Sequence, residues 1–145
     1  MSQSFTREIM VRFGDCDAAG MVYTGVIPTY VLRVIEDWWR DVIDLSWAKQ
    51  NIETVHTTPF VHISLDFRAP IRVDRNLRVE LKVSRLGRTS IRFGAEAYQN
   101  DILCFEGTFV EAFIDREKFL STPMPANVME RIRAVTPAEN DHSRD

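Results

Sequence analysis

The sequence predicts an α+β fold in which a curved antiparallel sheet wraps around one long central helix. Two observations carry this expectation. Val31, Leu32, Val34, Ile35, Trp38, Trp39 and Val42 recur at spacings of three and four, which describes an amphipathic helix with a wide apolar face. After that run come stretches in which apolar and polar residues alternate, separated by short turn signals, which describes strands. So broad a helical face has to be buried, and the only large partner the rest of the chain can build is a sheet.

The chain has 145 residues, enough for one domain with one core. Residues 1–135 are expected to form it. Residues 136–145 are polar without periodicity and are expected to be a disordered tail. A net charge of −3 leaves no strongly basic field, which argues against a general nucleic-acid-binding surface. The opening MSQSFTREIM holds no apolar run of signal-peptide length, and no stretch is long enough to cross a bilayer as a helix. A cytoplasmic protein with no membrane or nucleic-acid partner is the expectation. Cys16 and Cys104 form no metal-type cluster, so no metal is expected.

In chain order, the alternation of Phe5, Arg7, Ile9, Val11 and Phe13 with polar neighbours predicts a first strand over 5–13. A turn with Gly14, Asp15, Asp17 and Gly20 follows. The helix then starts near Thr24 or Pro28 and runs to Val42; Pro28 suits a first helical turn because it has no N–H to leave unpaired. Residues 43–55 read as a loop or a short second helix. Val61, Ile63, Leu65 and Phe67 alternate as the next strand. Pro70 interrupts the pattern, and Val73-Asp74-Arg75-Asn76 reads as a turn. Leu77 to Val83, Ile91 to Ala97 and Ile102 to Ile114 are three further strands, joined at Leu86-Gly87-Arg88 and Gln99-Asn100-Asp101. Gly107 marks a bulge or a close approach. The late strands are expected to pair as an antiparallel meander, and 124–134 as a short helix. A sheet of this kind leaves two edges and an outer face, which assembly with further copies would cover.

The acidic turn holds the chemistry. A carboxylate beside a helix N-terminus stands next to backbone N–H donors, the combination that acyl transfer needs. The stretch Phe13-Gly14-Asp15-Cys16-Asp17-Ala18-Ala19-Gly20-Met21-Val22-Tyr23 closely resembles the signature of the 4-hydroxybenzoyl-CoA thioesterase family of hotdog-fold proteins. The order of elements over about residues 5–115 is similar too, and Asp66-Phe67-Arg68-Ala69-Pro70 resembles the family's second strand and turn. Two positions depart from the pattern. Ala18 stands where Pro is common, and Pro28 comes later than in the family's F-P-x-Y segment.

The resemblance implies a hotdog fold and hydrolysis of an acyl-CoA, aromatic (such as hydroxybenzoyl-CoA) or short-chain, to a carboxylate and free CoA. It implies Asp17 as nucleophile or general base, with backbone N–H groups of Tyr23, Thr24 and Gly25 polarising the carbonyl. It places the CoA nucleotide at Arg85, Arg88, Thr89 and Ser90, with Arg92 as a further member of the cluster. It implies no cofactor beyond the CoA of the substrate, and a homodimer or homotetramer with the site at the dimer interface. Other readings stand beside it. Asp15 is expected to hold the turn. Glu36 is a second candidate carboxylate on the helix. Cys16 lacks a paired histidine, and no G-x-S-x-G stretch is present. His56 or His62 would serve a hydratase or dehydratase if paired with a carboxylate. A non-catalytic module that binds acyl-CoA is the reading from another class.

Overall fold

In the computed structural model, which describes residues 4–145, the apolar stripe forms one helix. This helix, α1, spans Ile27–Trp38 and buries Ile27, Tyr30, Val31, Val34, Ile35 and Trp38, while Arg33 and Glu36 on the other side are exposed. Pro28 lies in its first turn, where a missing N–H costs nothing. Thr24 belongs to a separate 3₁₀ turn, Thr24–Val26, that leads into the helix. At the other end the helix widens into a π turn, Trp39–Ile43, which keeps Trp39 and Ile43 buried. It stops at Asp44, whose left-handed conformation (φ 62°) ends the ladder.

The sheet supplies the facing surface. Its five strands are β1 (Phe5–Ile9), β3 (Phe60–Phe67), β4 (Leu77–Leu86), β5 (Ser90–Gln99) and β6 (Ile102–Ala112), all antiparallel, in the order β1-β4-β5-β6-β3. A separate pair joins β2 (His56–Thr57) to β7 (Ile114–Asp115). Period-two alternation turns Leu77, Val79 and Leu81 inward, with Phe93, Ala95, Ala97, Phe105 and Phe109 from the next strands. Trp38 meets Phe93 edge-on with ring centroids 5.1 Å apart. This is the α+β hotdog arrangement, with the sheet wrapped around α1.

Several boundaries differ from the sequence reading. The first strand ends at Ile9, because Phe13–Asp15 closes into a 3₁₀ turn. Only β4, β5 and β6 form a consecutive meander; β3 lies at the far edge, beside β6. Residues 68–76 cannot close a tight hairpin through Pro70. Instead Arg68 and Ala69 donate their N–H groups to the Cys104 carbonyl (2.7 and 3.1 Å), and the chain crosses the end of the sheet to reach β4. The 43–55 stretch holds a real helix, α2 (Trp47–Ile52), capped by Ser46 Oγ accepting from the Lys49 N–H at 3.1 Å. After α3 (Ala126–Val135), the terminal residues do not form the expected disordered tail. The His142 N–H donates to the Leu86 carbonyl (2.7 Å), Asn140 Nδ2 to that of Val83 (3.1 Å), and Arg133 pairs with Asp141 (3.1 Å). Polar residues held by such bonds have no periodicity for a sequence reading to find.

One inward position of β6 is a carboxylate. Glu111 follows Phe105, Gly107 and Phe109 on the core face and is fully buried. Trp39 Nε1 donates to its Oε1 and Trp47 Nε1 to its Oε2, each at 2.9 Å. Burial pushes its pKa up to about 7, against the opposing pull of the hydrogen bonds it accepts. A raised carboxyl pKa contributes stability that is complete below the unfolded value near 4.5 and is lost as pH rises through about 7. Glu111→Gln should therefore flatten the pH dependence of stability between those values. Urea denaturation at pH 5, 6 and 7.5 should show the wild type losing on the order of 1–3 kcal/mol relative to the variant; parallel pH profiles would refute this.

Gly107 is a close approach rather than a bulge. A Cβ there would overlap the Ser64 carbonyl oxygen and crowd the Leu65 side chain. Gly107→Ala should cost about 1–3 kcal/mol in chemical denaturation, the scale of an overpacked core. A neutral result would mean that β3 and β6 are less rigidly paired than their register implies.

Candidate active site

The acidic turn is a compact hydrogen-bonded loop. The Asp17 N–H donates to the Met21 carbonyl (2.8 Å) and the Gly20 N–H to the Asp17 carbonyl (3.1 Å). Gly20 takes φ +79°, a conformation glycine adopts without strain. The Ala19 N–H donates to Asp17 Oδ1 at 2.8 Å. This fixes the Asp17 side chain through one oxygen and leaves Oδ2 without a partner among the described residues. Asp15 turns the other way. Its Oδ2 accepts from the buried Tyr30 hydroxyl of α1 (2.8 Å), and its carbonyl accepts from the Tyr23 N–H (2.9 Å). Burial and this bond both raise the Tyr30 pKa and hold the phenol protonated. Asp15 thus ties the turn to the helix, and Asp17 is presented outward.

Asp17 lines a cavity of about 230 Å³ together with Met21, Val22, Thr24, Ile27, Phe67, Ala69, Pro70 and Ile71. The Val22 N–H donates to the Ile71 carbonyl (2.9 Å), which docks the turn on the crossover between β3 and β4. Seven of its nine lining residues have apolar side chains, although polar atoms line it nearly as much as apolar ones, and Phe67 stands at the edge strand with half its surface exposed. No metal-ligating cluster is present among the described residues.

The expected carbonyl-polarising donors separate. Tyr23 is a correction: its N–H is already given to Asp15, so it is not a free donor. The N–H groups of Thr24 and Gly25 open the 3₁₀ turn and have no acceptor among the described residues. Thr24 lines the Asp17 cavity; Gly25 does not. An unengaged backbone N–H of this kind can donate to a carbonyl oxygen and stabilise the oxyanion that forms when the carbonyl is attacked.

Arg85, Arg88, Thr89 and Ser90 lie on the β4–β5 hairpin, closed by the Gly87 N–H donating to the Ser90 carbonyl (2.8 Å). Arg85 and Arg88 are exposed, whereas Thr89 and Ser90 are half-buried. This hairpin is not beside Asp17. The acidic turn docks at the other end of β5, where the Arg72 N–H donates to Gln99 Oε1 (2.8 Å) and Met21 bridges to Arg72. The ten residues of β5 span about 30 Å. One chain therefore keeps the two predicted clusters at opposite ends of its sheet.

The other candidates fall away from the cavity. Glu36 faces solvent on α1. Desolvation, with Asp15 and Asp17 adding, raises the Cys16 thiol pKa, which disfavours a thiolate. His56 is buried against Phe113 (ring centroids 5.1 Å), and desolvation lowers its pKa. His62 is exposed on β3, and neither histidine pairs with a carboxylate among the described residues. Sequence reasoning missed the Tyr30–Asp15 tie and the Trp39–Glu111–Trp47 bridge. The second had a signal, a carboxylate in the inward phase of an alternating strand.

Known proteins share this fold. A structure from Jannaschia sp. CCS1, described as thioesterase superfamily, superposes with a TM-score of 0.84 at 32% identity, covering 94% of this chain and 95% of that one. A 1,4-dihydroxy-2-naphthoyl-CoA thioesterase from Synechocystis superposes with a TM-score of 0.83 at 24% identity, over 90% and 96% of the two chains. A 1,4-dihydroxy-2-naphthoyl-CoA hydrolase from Prochlorococcus marinus (strain MIT 9515) is 23% identical over 132 residues, 86% of this chain and 85% of its own length. Residues 11–132, from the approach to the acidic turn through most of α3, match the family description, and the chain belongs to the thioesterase-like superfamily.

Proposed function

We propose that this protein hydrolyses aromatic acyl-CoA thioesters to a carboxylate and free CoA, with Asp17 as the catalytic carboxylate. The observation that carries this reading is Asp17 itself. One oxygen is pinned by the Ala19 N–H and the other has no partner among the described residues, in a cavity shared with Thr24, whose N–H is unengaged. The free oxygen attacks the thioester carbonyl and expels CoA to give a mixed anhydride, which water then hydrolyses to the free acid and regenerated Asp17, or it takes a proton from a water that attacks the carbonyl directly. The Thr24 N–H, with that of Gly25 beside it in the turn, stabilises the oxyanion, and CoA leaves as the thiol.

The acyl class rests on two supports. Curated relatives at 23–25% identity act on 1,4-dihydroxy-2-naphthoyl-CoA, a bicyclic aromatic thioester. The cavity wall here is built from Phe67, Pro70, Met21 and Ile71, a surface that suits a flat ring. Membership of the superfamily does not single out a hydroxybenzoyl substrate. The panel below includes both ring systems.

A cavity of about 230 Å³ is small for an aromatic acyl group with its pantetheine arm. The missing wall is a second copy. β3 is an edge strand whose outer side is unpaired, and Val61, Ile63 and Phe67 are exposed along it. Phe13 and Tyr23 of the turn are exposed as well. Antiparallel pairing of β3 with its symmetry mate would cover this edge. It would also bring the partner's hairpin end level with this chain's Asp17 end. The CoA nucleotide would then be held by Arg85, Arg88, Thr89 and Ser90 of the other protomer.

Thiol release from benzoyl-, hydroxybenzoyl-, dihydroxynaphthoyl- and aliphatic acyl-CoAs tests the reading. Aromatic substrates should turn over fastest, and Asp17→Asn should lower kcat on the order of 10²-fold or more at unchanged fold. Equal thiol release by the variant would remove Asp17 from the chemistry. Binding without turnover by the wild type would favour the non-catalytic module. For the nucleotide, Arg88→Ala should raise KM for the CoA ester about tenfold and leave the N-acetylcysteamine thioester of the same acid unchanged. Equal effects on both esters would place Arg88 elsewhere than at the CoA phosphates.

A further inference from the structure

A second cavity opens between α2, β2 and α3. β2 pairs with β7, which follows β6 where Ala112 pairs with Ser90, so this cavity lies at the hairpin end of the sheet. Its volume is about 430 Å³, within the roughly 300–1,000 Å³ of small-molecule sites. Leu45, Val55, Pro125 and Val128 give it aliphatic walls. Lys49 and Glu53 stand exposed beside it, and their charges offset each other. It shares no lining residue with the Asp17 cavity.

Two polar side chains border this cavity and are left unsatisfied. Gln50 and His56 are 3% and 6% exposed. Yet both polar atoms of the Gln50 amide, and Nε2 of His56, have no hydrogen-bond partner among the described residues. Buried polar groups are ordinarily paired, so each exception calls for a cause. The neighbouring amide shows the contrast. Asn51 Oδ1 accepts from the Thr58 N–H (2.7 Å) and the Thr57 hydroxyl (2.8 Å), and its Nδ2 donates to the Trp47 carbonyl (3.0 Å). The main chain of the unsatisfied pair is anchored. The Thr54 hydroxyl donates to the Gln50 carbonyl, and Arg116 Nη2 donates to that of His56 (3.2 Å). The His56 ring also packs on Phe113. Desolvation, with Arg116 adding, lowers the His56 pKa, so at neutral pH the ring is uncharged and has one nitrogen to donate and one to accept.

We propose that this cavity binds a small uncharged ring carrying one hydroxyl, a molecule of the phenol class. A hydroxyl both donates and accepts, which is what the unpaired amide and imidazole call for. It accepts from Gln50 Nε2 and donates to Gln50 Oε1 or to His56 Nε2. The ring lies against Leu45, Pro125 and Val128. A hydrocarbon of the same shape fills the walls but leaves the amide and the imidazole unpaired. A carboxylate is disfavoured, because Lys49 beside the cavity is exposed and offset by Glu53, and a buried charge needs a partner of its own. The proposal is independent of the hydrolase reading.

Calorimetric titration with phenol, toluene and benzoate tests it, with nitrogen-15 spectra of the histidine side chains to place the ligand. Phenol should bind saturably, one per chain, with a Kd on the order of 1 mM or tighter. Toluene and benzoate should bind about tenfold more weakly or worse. Of the three histidines, His56 alone should shift with phenol. Gln50→Met keeps the length of the side chain and removes both hydrogen-bonding atoms. It should weaken phenol about tenfold and leave toluene unchanged. Val128→Trp, which fills the cavity, should abolish binding of both, with circular dichroism showing each variant folded. The wild-type titrations and spectra decide the matter even where a variant does not fold. No saturable phenol binding up to about 10 mM, equal affinity for phenol and toluene, or a shift at His62 or His142 in place of His56 would overturn the proposal. So would full phenol affinity in folded Gln50→Met.

Discussion

Everything in this structure follows from the need to cover one side of α1. Ile27, Tyr30, Val31, Val34, Ile35 and Trp38 are each almost completely removed from solvent. At about 25 cal/mol per Å² of buried apolar surface, that stripe and the sheet beneath it form the dominant stabilising contact. The sheet has to curve to follow the helix, and its strands have to hold strict alternation to keep Leu77, Val79, Leu81 and Phe93 inward. The helix is narrower than the sheet, so the coverage runs out at β3. Ile63 and Phe67 are on the inward phase of that strand and are still 43% and 51% exposed. The cavity beside Asp17 lies at this uncovered margin, with Phe67 as one of its walls.

The helix also positions the acidic turn. Tyr30 sits on the buried stripe, and its hydroxyl reaches Asp15; the Asp15 carbonyl in turn takes the Tyr23 N–H. Three residues far apart in role become one rigid unit that presents Asp17 and leaves the Thr24 and Gly25 donors free. The chain makes a 3₁₀ turn over Thr24–Val26 before the α-helix begins, so the free N–H groups belong to that turn. Glu111 shows the opposite use of a carboxylate. It is sealed in the core between Trp39 and Trp47, where its role is to hold α2 and the π turn to β6.

The two faces of the sheet divide the remaining work. The inner face is apolar and meets α1, while the outer face carries ordered rows of charge, of which Glu106 and Asp66 are paired with Arg68.

The sequence by itself determined the local structure. The three-and-four spacing of Val31 to Trp39 specified α1, the alternation of Leu77 to Val83 specified β4, and the turn around Asp17 carried both its shape and its likeness to a thioesterase signature. These are legible because helix and strand periods and turn chemistry depend on neighbours a few residues apart. What only the tertiary structure decided depends on residues distant in the chain. The far-edge position of β3 comes from a crossover of 68–76 held by Cys104, and the commitment of the Tyr23 N–H comes from Asp15. The docking of 136–145 comes from Arg133, Val83 and Leu86. The charge rows exist only once strand register sets Glu80, Glu96, Glu106 and Asp66 side by side. Hydrogen bonds and register of this kind leave no periodic trace in the sequence, because the partner of each group is fixed by how the sheet closes on the helix.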